Sequence, residues 1–222
     1  MKERIILLGP PASGKGTQAS RMSKAFGIPH VSTGALLRSE ASLGTELGRE
    51  ADRWTRGGSL VPDGLIIRVV GDWIAANGPR FLFDGFPRTV GQAKSLDELL
   101  RDVSAPLDLV ILLELDPVEI RGRIMDRLTC RGCGETYGGS LHGLENGGSC
   151  PTCGGKLARR SDDTEDVLAE RLRAYCESTL PVVAHYESTN PGILHRVDAA
   201  QGSDAIYSVL SALVDWEMQK AE

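Results

Sequence analysis

Short, almost unbroken apolar runs alternate along this chain with longer stretches in which apolar residues recur every three or four positions. The first run, Ile5-Ile6-Leu7-Leu8, follows Arg4 and stops at Gly9-Pro10-Pro11, as a strand buried on both faces does. Similar runs at 29–32, 80–84, 108–115 and 193–197 predict four more strands. The intervening periodicity predicts helices over 14–26, 35–43, 46–56, 63–77, 90–101, 117–127, 163–189 and 203–219. Strands alternating with helices predict an α/β fold around a parallel sheet.

Two stretches stand outside that alternation. Residues 32–61 hold two short helical patterns broken by Gly44, Gly57 and Gly58 and predict a helical insert. Residues 127–164 are rich in glycine, with turn signals at Tyr137-Gly138-Gly139 and Asn146-Gly147-Gly148, and predict a separate small lobe. The core then comprises 1–31, 62–126 and 165–222. Four of the five cysteines lie in the small lobe, as Cys130-x2-Cys133 and Cys150-x2-Cys153, two knuckles whose thiolates suit one tetrahedral Zn2+. Four thiolates leave no open coordination position, so such a zinc is structural, and a segment this loop-rich takes most of its folding free energy from the metal. Cys176, far from the others in a helical pattern, is expected to pack as a small buried hydrophobe.

After the first predicted strand, Gly9-Pro10-Pro11-Ala12-Ser13-Gly14-Lys15-Gly16-Thr17 opens the first predicted helix, the setting of a phosphate-binding P-loop. In such a loop the N–H groups of the glycine-rich turn and the helix start point at one anion site, with Lys15 on the β- and γ-phosphates. The common pattern has Ser or Thr directly after the lysine; here Gly16 intervenes, and the Thr17 hydroxyl stays available to phosphate or Mg2+. A plain glycine turn has no use for a lysine at that position.

The net charge of −5 argues against a general nucleic-acid binder. The cysteine lobe is sparsely basic, with Arg127, Arg131, Lys156, Arg159 and Arg160, and its single Tyr137 is a poor stacking surface, so a nucleic-acid-binding zinc ribbon is disfavoured too. No apolar run approaches the roughly 18 residues that cross a bilayer. Met1–Arg4 leads straight into a strand pattern without a signal-peptide apolar region, and a cytosolic chain is expected.

The order Gly9-x4-Gly14-Lys15-Gly16-Thr17, Ser32-Thr33-Gly34 and Asp84-Gly85-Phe86-Pro87-Arg88-Thr89 resembles the adenylate kinases from end to end, and the cysteine spacing resembles their long-lid, zinc-containing bacterial branch. The resemblance implies a P-loop NTPase-like parallel five-stranded sheet flanked by helices, with 32–61 as a helical NMP-binding insert and 127–164 as a zinc-pinned lid that closes with it over the substrates. It implies Mg2+-dependent ATP + AMP ⇌ 2 ADP, a role in adenine nucleotide balance, and a monomer.

Carried over residue by residue, the ATP side takes Gly9, Ser13, Gly14, Lys15, Gly16, Thr17, Arg123, Arg127 and Gln201. Thr33, Gly34 and Arg38 match AMP contacts, as do Leu60-Val61 over the adenine and ribose and Gly85 and Arg88 on the phosphate side. Gln92 matches the side chain that reads the adenine edge. Arg160 and Arg171 match the clamp on the transferring group, and Asp84 the carboxylate orienting water on Mg2+; with Lys15, Arg88 and Arg123 these make the catalytic set. Asp163 is expected to cap the following helix and Asp162 to form a lid-closing ion pair, while Arg21, Arg49 and Arg173 read as solvated surface charges. His30, His142, His185, His195, Trp54, Trp73 and Trp216 read as packing residues. Thr33 and Gln92 favour adenine over another acceptor base, and the long lid speaks against the pyrimidine kinases. Three departures stand out: Ala12 and Ala35 replace the usual Gly and Asp, and Val197-Asp198-Ala199-Ala200-Gln201 replaces Val-Asp-Gly, where mainly backbone contacts leave the donor base open between ATP and GTP.

Overall fold

The computed structural model describes residues 1–55 and 60–215. Five parallel strands, β1 (Arg4–Leu8), β2 (His30–Ser32), β3 (Phe81–Asp84), β4 (Leu109–Glu114) and β8 (Leu194–Asp198), form one sheet in the order β2-β3-β1-β4-β8. The five expected strands are all present, within a residue or two at their ends. Alternation along each strand sends its side chains to two separate cores. Ile6, Leu8, Phe81, Phe83, Val110 and Leu112 face Val70 of α4 (Asp63–Asn77), Leu96 of α5 (Val90–Asp102) and Tyr186 of α9 (Leu180–Thr189). Ile5, Leu7, Leu82, Leu109, Ile111 and Leu113 face Met22 of α1 (Lys15–Phe26) and Leu210 of α10 (Ser203–Val214). Burial on both faces explains why these strands read as continuous apolar runs.

The insert carries α2 (Thr33–Leu43) and α3 (Glu46–Thr55), the first capped by the Ser32 hydroxyl accepting from Ala35 N–H. Gly57, Gly58, residue 56 of the third expected helix, residues 216–219 of the last and Trp216 lie outside the described residues. Beyond α6 (Pro117–Met125), the cysteine lobe forms a three-stranded antiparallel sheet, order β6-β5-β7, from β5 (Arg127–Cys130), β6 (Thr136–Gly138) and β7 (Leu157–Ala158), with a short helix α7 (Gly139–His142). Among the described residues its buried apolar cluster is Leu128, Cys130, Cys150 and Leu157, with Tyr137 and Leu144 packed against it.

Three expectations need correction. The helix expected over 163–189 is interrupted: α8 (Glu165–Ala174) passes through a π-helical turn, Tyr175–Thr179, into α9. Cys176 sits in that turn and is exposed, because the wider turn carries it off the buried face. Trp54 is 43% exposed at the end of α3 and does not pack, whereas Trp73 lies against Phe83 in the core.

Candidate functional site

The site lies at the carboxyl ends of β1, β2 and β3, where open α/β sheets form their ligand crevice. Gly9 ends the apolar run because nothing larger fits: a Cβ there would lie 2.6 Å from Leu113 O and 2.8 Å from Ser13 Oγ. Ser13 is fully buried, and Gly14, in the left-handed region, starts α1. Ala12 also has a positive φ of 59°, a conformation that costs an L-residue about 1–2 kcal/mol and explains why glycine is usual there. Its methyl packs against Ile120, Ile124 and Leu168, so the loop is anchored to α6 and α8.

Lys15 Nζ donates to Gly9 O (2.8 Å), Pro10 O (2.7 Å) and Ser13 Oγ (3.2 Å), which uses all three of its hydrogens. Burial pulls its pKa from 10.5 down to about 8, with Asp84 opposing the shift and Arg88 and Arg127 adding to it. Asp84 ends β3 beside the loop; a Cβ on Gly16 would sit 3.3 Å from its Oδ2, which accounts for glycine after the lysine. Burial works against ionisation of Asp84, but His30, Lys15 and Arg88 outweigh it and hold the carboxyl below its usual range. His30, expected only to pack, has Nε2 3.6 Å from Asp84 Oδ2; the signal was its place on β2, the strand hydrogen-bonded to β3. The carboxylate next to the phosphate loop and the Thr17 hydroxyl are hard oxygen donors of the kind Mg2+ takes.

A ring of arginines surrounds this floor. Arg88 folds back so that Nε donates to Gly85 O at 2.7 Å, and Thr33, buried at the start of α2, donates to the same carbonyl at 3.1 Å. Gly34 follows Thr33, and a Cβ on it would lie 3.2 Å from Arg38 Nη1. The guanidiniums of Arg88 and Arg38 are both shifted down, first by burial; Arg171 and Arg38 add to the shift of Arg88 against Asp84, and Arg171 and Arg127 add to that of Arg38 against Asp162 and Asp84. Arg160 donates to Thr129 Oγ1 at 3.0 Å and is pulled to about 10 by burial, Arg127 and Arg38. Lys15, Arg38, Arg88, Arg127, Arg160 and Arg171 therefore share one electrostatic neighbourhood, a concentration of positive charge of the kind that suits a multiply charged anion.

Asp162 and Asp163 hold part of that ring. Asp163, its side chain 2% exposed, accepts from Arg127 Nε at 2.8 Å and pairs with Arg127 Nη2 and, at 3.4 Å, Arg171 Nη1; Asp162 pairs with Arg171 Nη2. The capping role expected of Asp163 belongs to Thr164, whose hydroxyl accepts from Val167 N–H, because the helix begins one residue later. Arg21 pairs with Asp204, Arg173 with Glu170, and Arg49 caps the Gly44 carbonyl, all at the surface as expected.

The remaining expected residues lie around the rim. Leu60 is half-buried and Val61 buried just before α4. Gln92, 2% exposed, sits one turn after Arg88 in α5. Arg123 donates to Ala199 O at 2.9 Å and pairs with Glu119, which ties α6 to the turn bearing Gln201; Gln201 itself is exposed.

In the cysteine lobe, one sulfur from each of Cys130, Cys133, Cys150 and Cys153 lies within 4.8 Å of the other three. Burial disfavours the Cys150 thiolate, but hydrogen bonds from the Tyr137 hydroxyl and the Cys153 and Thr152 amides pull its pKa to about 6. The Glu135 amide favours the Cys133 thiolate, yet burial and the crowding sulfurs push it up to about 12. A divalent cation at the centre of the four sulfurs removes that conflict, and the donor set fits zinc. Sequence reasoning missed Glu135, whose carboxylate meets Ser20 (3.4 Å) and Lys24 (3.6 Å) on α1 and so joins this lobe to the core. Among the described residues no helix is long and apolar enough to cross a membrane.

Residues 7–191 match the family described as Adenylate kinase. The chain is 38% identical over 213 residues to an adenylate kinase of Archaeoglobus fulgidus, covering 95% of this chain and 97% of that one. It is 40% identical to one of Syntrophobacter fumaroxidans (95% and 99% covered) and 44% identical to one of Salinispora tropica (82% and 85%). With residues 7–191 matched to that family and relatives at these identities covered over most of their length, the chain belongs to the adenylate kinase family.

Proposed function

We infer that this enzyme transfers the terminal phosphoryl group of ATP to AMP, giving two ADP, and runs the reverse reaction as readily as nucleotide levels dictate. The observation that carries the reading is the convergence of Lys15, Arg38, Arg88, Arg127, Arg160 and Arg171 on the anion-binding loop Gly9–Thr17. Phosphoryl transfer asks for alignment and charge stabilisation and little covalent chemistry, so lysine and arginine are the working groups.

The donor phosphates take the N–H groups of Ser13, Gly14, Lys15, Gly16 and Thr17, with Lys15 leaving the loop carbonyls for the β- and γ-phosphates. Gly9 holds the loop's close turn. Arg123, Arg127 and Gln201 flank the donor base and its phosphates. AMP lies against Thr33, Gly34, Leu60, Val61, Gly85 and Gln92, with Arg38 and Arg88 on its phosphate. Arg160 and Arg171 come from the lid side onto the moving group, exchanging part of their present pairing for phosphate oxygens. No general base is required, because the attacking phosphate oxygen of AMP is already ionised. Asp84 and Thr17 would hold Mg2+ and its waters, and the metal would neutralise charge on the phosphates. The four cysteines would hold Zn2+, which would keep the lid folded without entering the chemistry. We divide the chain into a core (1–31, 62–126, 165–222), an NMP-binding insert (32–61) and a zinc lid (127–164) that closes to exclude water. The cysteine set supports the long-lid zinc type, and we take the enzyme to be a cytosolic monomer.

Coupled measurement of ADP formation from ATP and Mg2+ tests this, with AMP, GMP, CMP and UMP supplied in turn and GTP replacing ATP. Fast ADP formation with AMP and ATP is expected. A preference for another monophosphate moves the acceptor assignment, and a preference for GTP moves the donor.

A further inference from the structure

Asp63, the first residue of α4, closes a ring of hydrogen bonds with the first turn of α5. Gln92 Oε1 accepts from the backbone N–H of Arg88 at 2.8 Å, and Gln92 Nε2 donates to Asp63 Oδ1 at 2.7 Å. The Thr89 hydroxyl donates to Asp63 Oδ2 at 2.6 Å and accepts from Gln92 N–H at 3.1 Å. Space for the carboxylate is left by Gly91, where a Cβ would lie 2.9 Å from Asp63 Oδ2.

Each end of this ring has fixed polarity. A backbone N–H only donates, and an ionised carboxylate only accepts. Turning the Gln92 amide over would set its NH2 against the Arg88 N–H and its oxygen against Asp63, exchanging two hydrogen bonds for two repulsions. The amide is therefore held one way round, with one N–H and one lone pair left for a ligand. That matters for a residue facing a purine. The N1/N6 edge of adenine offers an acceptor beside a donor, and the N1/O6 edge of guanine offers a donor beside an acceptor. One orientation of an amide complements the first order, and the opposite orientation complements the second.

We propose that Asp63 is a positioning residue for acceptor specificity, which fixes the Gln92 amide in the orientation that accepts adenine and refuses guanine. The proposal rests on the reading of Gln92 as the group facing the acceptor base. Asp63 itself makes no contact with the base; it acts through the amide.

The discriminating variant is Asp63→Asn. An asparagine at 63 can either accept from or donate to the Gln92 amide, so it keeps the size of the side chain and loses the polarity. Calorimetric titration of AMP and GMP into the full-length zinc-loaded protein gives the two Kd values, with kcat at saturating AMP and Tm measured alongside. Asp63→Asn is expected to weaken AMP binding about 10-fold and to narrow the GMP-to-AMP Kd ratio at least as much, while kcat at saturating AMP falls by a smaller factor. Gly91→Ala, which pushes the carboxylate aside without changing its chemistry, is expected to narrow the ratio in the same direction. The Asp63→Asn/Gln92→Ala double variant should be no less selective than Gln92→Ala alone, because the two act as one unit. If Gln92→Ala collapses the ratio and neither Asp63→Asn nor Gly91→Ala moves it, Asp63 has no positioning role although Gln92 reads the base. If Gln92→Ala leaves the ratio intact, the base reading fails and the Asp63 assignment fails with it.

Discussion

Replacing Asp163 by Asn tests whether the arginine ring is held in place, in the free enzyme, by a buried carboxylate. Asp163 is 2% exposed and faces guanidinium N–H groups of Arg127, 13% exposed, and Arg171, 20% exposed. The asparagine is nearly isosteric, but it turns an acceptor-only group into one whose NH2 confronts guanidinium donors. Stranding a charge by removing its buried partner costs about 3–5 kcal/mol. Both arginines retain some access to water, so the lower figure, about 3 kcal/mol, is expected. In a domain of this size that corresponds to a fall in Tm of about 6–12 °C. Asp204→Asn is the control: its side chain is 95% exposed opposite Arg21, and a surface pair of this kind is worth at most about 1 kcal/mol, so Tm should barely move. Differential scanning calorimetry, with and without a non-hydrolysable ATP analogue and Mg2+, separates the effects. Phosphate oxygens should take over the stranded guanidiniums, and the ligand should recover about half of the Asp163→Asn deficit beyond its stabilisation of the parent. A fall below about 2 °C, or a deficit the ligand leaves unchanged, would refute a holding role for Asp163.

Chelation of zinc, or Cys133→Ser, should melt the small lobe and lower Tm by more than it lowers kcat at saturating substrate, with far-UV circular dichroism retaining the core signal; equal losses in a protein that stays fully folded would contradict a structural metal. Lys15 gives a pH signature. Its folded pKa is about 8 against an ordinary 10.5, so between those values the unfolded chain binds more proton and this group makes stability rise with pH. ATP binding should restore its charge, taking up roughly 0.7 proton at pH 8.5 and little at pH 7, measured by calorimetry in buffers of different ionisation enthalpy; no uptake at pH 8.5 would contradict it. Ala12→Gly should raise Tm by about 1–2 °C, since relief at a φ of 59° exceeds the entropy glycine adds to the unfolded chain, and Ala12→Val should lower it; an unchanged Ala12→Val variant would show that the loop relaxes.

The parts of this molecule legible in the sequence are those in which one local pattern has one physical solution. Ile5–Leu8 is apolar at every position because both faces of β1 are covered, and such a run ended by Gly9 reads as a central strand without further context. The helix over 63–77 was legible to the residue, since Pro62 starts it and Gly78 ends it. Contacts between distant segments left no local trace. Nothing near Glu135 announces Ser20 and Lys24, and nothing near Asp63 announces Gln92. Asp163 shows a different failure: next to Thr164, either residue makes a sound cap, and only the position of Arg127 decides which one is free to pair. The π-helical turn leaves one local trace, Pro181, which stands two residues past Thr179 and lacks the N–H an unbroken α-helix would use, while the apolar spacing on either side remains helical.

That turn limits how this chain can vary in length. A π-helical turn accommodates one residue more than an α-helical path over the same rise, which is the trace a single insertion leaves in a helix. Each residue added to or removed from a helix rotates everything beyond it by about 100°. Here Arg171 precedes the turn, paired with Asp162 and Asp163, while Val182, Val183 and Tyr186 follow it in the core, and Thr179 at its end donates to the carbonyl of Arg88 at 3.2 Å. Deleting one residue from 175–179 would set these two groups out of phase and would also bring Pro181, which has no N–H to give, into the interior of an α-helix. The number of residues in this stretch is thus set by the two faces it has to connect, and Thr179 is set by its bond to Arg88.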